Sequence, residues 1–153
     1  MKMRMLHAWV SVVVLAGSLS CTAQDKGSWR PASDTTYSMT GEITIAETNM
    51  AINVTKVPVA PVRKLTPAEV SAVFDADTNA GIGGKLYRVH VPPGVYMSGG
   101  SLLCGKEVIR WMATYVLGRN LRVAFFSGED MPVFTFDAIS NSTALCGTYA
   151  YMR

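Results

Sequence analysis

The chain reads as a mainly β protein of the α+β kind, a small antiparallel β-barrel or strongly bent sheet of six to eight short strands with one short helix, at about residues 67–75, packed on it. Three observations predict this. Runs of alternating apolar and polar residues recur at hairpin spacing through most of the chain. One stretch, Thr66-Pro67-Ala68-Glu69, carries strong helix-start chemistry. The most apolar and aromatic part of the chain lies between Cys104 and Cys146, each set in a Leu-Cys-Gly triplet.

A chain of 153 residues fits one domain once its start is set aside. Lys2 and Arg4 precede an apolar run over residues 5–17, too short to span a bilayer comfortably, and small residues follow it. Residues 1–23 therefore read as a secretory signal peptide, cleaved after Ala23. A competing reading makes Cys21 the first mature residue, lipidated on its sulfur, although Leu19 stands one position too close to that cysteine for the usual lipoprotein pattern. Residues 24–35 are polar and aperiodic, as expected of a flexible N-terminal arm, with Trp29 packing onto the domain. Residues 36–153 form a single β-rich domain.

Each element has its own signal. Ile43 and Ile45 alternate with polar neighbours and, after Glu47-Thr48-Asn49, Met50, Ile52 and Val54 do so again, which predicts a hairpin. Pro58 and Pro61 are expected to stop that ladder because each lacks a backbone donor. Thr66 and Glu69 form a capping box with Pro67 at the first helical position, and Val70, Val73 and Phe74 give the helix an apolar face. Tyr87, Val89 and Val91 share the face of a further strand. Residues 107–117 fit either period, and their aromatic and β-branched content favours a strand, joined through Gly118-Arg119 to another bearing Leu121, Val123 and Phe125. Val133 to Phe136 reads as extended, Asp137 to Thr143 as a short helix or loop, and the end of the chain as a strand locked by Cys146.

Composition excludes some functions. The chain has 14 Lys and Arg against 11 Asp and Glu, but Lys2 and Arg4 belong to the export signal, so the domain is almost neutral. Nucleic-acid binding needs a clustered positive face, and none is evident. Export places Cys104 and Cys146 in an oxidising compartment, where they are expected to pair as a structural disulfide. No cofactor motif occurs.

Candidate chemistry is sparse. Asp75, Asp77 and Asn79 resemble the start of a calcium loop, but glycine comes one residue late and Leu86 stands where a closing glutamate belongs. The plain alternative is a helix end and a turn. His90 is the sole histidine of the domain, and no nucleophile-elbow sequence accompanies it. Trp111, Tyr115, Phe125 and Phe126, with His90, are the candidates for a binding surface, the competing role of the aromatics being core packing. Adjacent Phe125 and Phe126 point to opposite faces of their strand, so either both faces are covered or one ring is exposed for binding.

The function that fits is an exported protein, periplasmic or extracellular, that catalyses nothing and binds a macromolecule or an envelope component. In size, export signal and β content it resembles the small periplasmic lysozyme inhibitors, exported β-barrels with few cysteines, and that resemblance implies an inhibitor-like role. Two alternatives belong to other classes. One is a small hydrolase of an envelope polymer using His90 with Glu107, Glu129 or Asp137. The other is a structural lipoprotein anchored through Cys21, the case in which the protein would meet a membrane.

Overall fold

The computed structural model describes residues 25–77, 83–96 and 103–153. The expected export signal and Asn79 lie outside them. Eight antiparallel strands follow one another in chain order and close as a barrel: β1 Gly27–Pro31, β2 Ile43–Ile45, β3 Asn49–Ile52, β4 Thr55–Leu65, β5 Gly84–Val89, β6 Trp111–Leu117, β7 Asn120–Phe126 and β8 Leu145–Met152. Three short helices decorate it, α1 Asp34–Met39, α2 Pro67–Phe74 and α3 Phe136–Ser140.

Strand alternation sends one set of side chains into the barrel. Trp29, Ile43, Ile45, Met50, Ile52, Val57, Tyr87, Met112, Leu121, Phe125 and Tyr151 are buried there in one continuous cluster. A second cluster lies outside the wall, where Val70, Val73 and Phe74 of α2 cover Leu86, Trp111, Ala113, Tyr115, Ala124 and Phe126. Phe125 thus fills the interior while Phe126 meets Phe134 edge-on at 5.7 Å on the outer side. Residues 111–116 of β6 are buried on both faces, which is why that stretch carries no clean period of two in the sequence.

The helix α2 is too short to persist alone and is held by its caps and its packing. Thr66 accepts from the Glu69 amide at 3.3 Å, Glu69 accepts from the Thr66 amide at 2.8 Å, and Asp75 ends the helix in a left-handed conformation. Phe74 stacks on Tyr115 at 5.9 Å. This packing needs Gly84, because a Cβ there would stand 2.6 Å from the Thr114 carbonyl oxygen and 3.0 Å from Val70.

Three sequence expectations are corrected. Residues 24–35 are not a free arm, since Gly27–Pro31 is β1, the strand that closes the barrel, and Ser33 caps α1 by accepting from the Thr36 amide. The pairing partners of β1 are remote in sequence, so local polarity gave no hint of it. Pro58 and Pro61 do not stop β4. Val59 donates to Thr48 at 3.0 Å on the β3 side and Pro58 accepts from His90 at 3.0 Å on the β5 side. By alternation Pro61 turns its nitrogen to the β3 flank, where Ala60 to Leu65 have no strand partner, and Pro58 turns its nitrogen to a flank where β5 has already ended. Val133 to Phe136 joins no strand ladder: Thr135 is extended but caps a helix by accepting from the Ala138 amide, and Phe136 begins α3. The two Leu-Cys-Gly triplets lie in unlike settings, Cys104 in a connection and Cys146 in β8.

An up-and-down barrel sorts its connections by end. Those after β1, β3, β5 and β7 leave from one end, and those after β2, β4 and β6 leave from the other, where Asp25 and Arg153 also lie. The disulfide Cys104–Cys146, with Cα atoms 4.7 Å apart, ties the β5–β6 connection to the top of β8 and so braces the first end. A formed disulfide is compatible with an exported protein. Among the described residues no helix is long and apolar enough to cross a membrane.

Two outcomes follow from this architecture. Replacing Cys104 and Cys146 together by serine, which frees a 42-residue loop, is expected to lower stability by about 4 kcal/mol, read as the shift in urea midpoint without reductant. The Arg63 guanidinium, donating to both Glu69 oxygens at 2.8 Å, holds that carboxyl at about 2, below its ordinary 4.5. Glu69 therefore contributes stability in full above pH 4.5, and the contribution fades as pH falls toward 2. The variant Glu69→Gln should flatten the acid limb of the melting-temperature profile in that window.

Candidate interaction surface

The barrel interior is filled by side chains. Trp29, Tyr87, Phe125 and Tyr151 are each at most 1% exposed, so chemistry with another molecule has to occur at the ends or on the outer wall. Among the described residues, one charged side chain is buried at this depth. Asp25, 3% exposed, places its Oδ1 3.1 Å from Lys85 Nζ, and its Oδ2 accepts from Tyr87 Oη at 2.6 Å and Thr114 Oγ1 at 2.9 Å. Its carbonyl accepts from the Trp29 indole at 2.9 Å. Every polar atom of this quartet is partnered, as burial in a low-dielectric site demands. Burial, reinforced by Asp25, pushes the Tyr87 phenol well above its ordinary value, so Tyr87 remains a donor at any physiological pH. Sequence reasoning missed Asp25 because its three side-chain partners lie 60 to 89 positions away.

The residues singled out from sequence divide plainly. Trp111, Tyr115, Phe125 and Phe126 are buried, and of the four Phe126 alone reaches the floor of the surface groove beside Val133. The strand pleat turns Phe125 inward, while α2 and Phe134 cover the outer three. Trp111 is roofed by the Arg88 guanidinium, 4.5 Å from its ring centroid, and donates its indole N–H to the Gly128 carbonyl at 3.2 Å. It thereby fastens the β7–β8 connection to the wall.

His90 is exposed and, among the described residues, forms no hydrogen bond with Glu107, Glu129 or Asp137. Glu129 is held instead by Arg110 at 2.7 Å and Arg88 at 3.6 Å, and Asp137 accepts from Asn141 at 3.2 Å. Asp75 caps α2. Among the described residues no group of three His, Cys, Asp or Glu side chains could hold a metal ion.

What the sequence did not reveal is the distribution of exposed apolar side chains. Tyr37 and Met39 of α1, Val54 of the β3–β4 turn, Tyr96 and Val108 of the β5–β6 connection, and Met131, Val133 and Phe136 beyond β7 are all exposed. All eight belong to the connections of the disulfide-braced end, whereas toward the opposite end the exposed ones are Leu117, Met152 and Val62 of the β4 overhang. Val54 is 91% exposed, Tyr37 and Phe136 are each 74%, and Val133 is 64%. Isolated surface apolar residues are ordinary, and the feature here is their bias to the connections of one end, α3 with Phe136 packing back along the wall against α2. The surface is also firmly held. Phe134 is buried between Phe126 and the Arg63 guanidinium, 5.8 Å from its ring, so its exposed neighbours Met131, Val133 and Phe136 are fixed by an anchor. Beside them a groove of about 330 Å³ is lined by Phe126, Asp130, Pro132, Val133, Ile139 and Ala144, among others. No sequence window could show this, because the eight residues come from four separate connections.

Comparison of the chain with protein-family models, with curated proteins and with solved structures finds no match.

Removing the Asp25 carboxylate tests the quartet. Asp25→Ala leaves the Lys85 ammonium unpaired and the hydroxyls of Tyr87 and Thr114 without their acceptor, and is expected to cost about 3 kcal/mol in urea unfolding. A cost below about 0.5 kcal/mol, the usual size of a surface substitution, would show the quartet to be energetically idle.

Proposed function

We infer that the protein is an exported, non-enzymatic binding protein that engages a partner protein through the disulfide-braced end of its barrel. One observation carries this reading: eight exposed apolar side chains gather on the four connections of that end. Binding loops displayed on a rigid scaffold are a common way for a small β-domain to present a surface. The braced connection, the capped helices and the Phe134 anchor lower the entropy lost when such a surface is covered. Export is supported by the leader-like first 23 residues and agrees with a formed disulfide. Glu129 is engaged by Arg110 and Arg88 and Asp137 by Asn141, ties that suit a structural role for these acids.

The test compares two double variants of the purified chain as bait for envelope proteins from its source. Val133→Asp with Phe136→Asp is expected to reduce capture of its partner about tenfold or more, as loss of a central apolar contact does. Leu117→Asp with Met152→Asp, at the other end, should leave capture unchanged. Equal capture by both variants and the parent would refute the assignment, provided circular dichroism shows all three folded.

A further inference from the structure

The end opposite the apolar surface carries a different feature. Where β4 runs past the end of β3, a cleft of about 200 Å³ opens, lined by Lys26, Glu47, Arg63, Lys64, Lys85 and Tyr87 together with Pro61 and Val62. Lys64 and Lys85 are register partners across the β4–β5 ladder. Directly opposed residues on neighbouring strands project to the same side, and like charges so placed repel each other. Asp25 answers Lys85 from within the barrel, but Lys64 has no acidic partner among the described residues.

We propose that this cleft is a binding site for a phosphate-type oxyanion, whose charge offsets the opposed Lys64 and Lys85. Two of the four cations are positioned from behind. Asp25 takes one of the three donors of Lys85 and leaves two, and Glu69 fixes Arg63, whose Nη1 also donates to the Lys64 carbonyl at 3.1 Å. Cations already held in place lose little further entropy on meeting an anion. Charge-assisted bonds from two lysines to one oxyanion are stronger than neutral ones. The volume admits a phosphate ester together with part of the group that bears it. Within the cleft Glu47 competes for Lys26, so the site contains its own internal rival, and removing that rival should strengthen binding.

The experiment titrates the purified chain with inorganic phosphate at constant ionic strength and follows the backbone amides of residues 63–65 and 85–87 by NMR. Saturable shifts are expected. The phosphate dissociation constant should rise about fivefold in Lys64→Ala and fall in Glu47→Gln, the size expected for gain or loss of one charge-assisted contact. A second arm measures co-sedimentation with phosphatidylglycerol vesicles against phosphatidylcholine vesicles. Binding to the former alone, weakened by Lys64→Ala, assigns the anion to a lipid headgroup. A saturable phosphate response without vesicle binding assigns it to a soluble phosphate-bearing ligand. Absence of any saturable shift, or dissociation constants unchanged in both variants, overturns the proposal.

Discussion

Closure of the barrel depends on a short seam. β1 pairs three residues with β2 and only two with β8, Arg30 opposite Met152 and Pro31 opposite Tyr151. A ladder of that length is weak, and the structure fastens it by other means. Ala32 donates to the Ala150 carbonyl at 2.9 Å, the Ala150 amide donates to Thr36 Oγ1 at 3.2 Å, and the Tyr151 phenol donates to Thr40 at 2.6 Å. The Arg153 guanidinium lies 3.8 Å from the centre of the Trp29 ring. With Asp25 reaching across to β5 and β6, the first described residues knit strands from three parts of the sequence. Without them the sheet would open and present the aromatic interior to solvent.

The two ends of the closed barrel have diverged in chemistry. One collects exposed apolar side chains on connections braced by a disulfide and by buried aromatic anchors. The other collects cations, two of them held by acids behind them. The wall between is uniform and tightly filled, so neither end is reached through the core. Such a division suits a molecule that meets two different surroundings at once, an apolar protein face on one side and an anionic group on the other.

Much of the fold was legible in the sequence, and the reasons are local. The capping box at Thr66, the Gly118-Arg119 turn and the alternation around Ile43 and Met50 each act within a few residues, and each appears where the pattern puts it. The Cys104–Cys146 pair followed from the two cysteines that remain once the leader-like first 23 residues are set aside. β1 was hidden because Gly27-Ser28-Trp29-Arg30-Pro31 has no alternation of its own and exists only through its partners. The candidate site was scarcely legible. The aromatic residues considered for ligand binding, Trp111, Tyr115, Phe125 and Phe126, were needed for two cores, and the exposed apolar ones are scattered among four connections that only the topology assigns to one end.

The overhang of β4 has a consequence for the protein in crowded surroundings. A strand that outruns its neighbour offers free backbone groups on which a foreign strand can add, and then another, until polymers grow. Here Pro61 removes a donor from that edge, Arg63 occupies the Lys64 carbonyl, and the Lys64 charge repels a second copy presenting the same edge. The stretch most able to seed fibrils is therefore disarmed by its own side chains, and the chain can keep an open strand flank without recruiting its own kind.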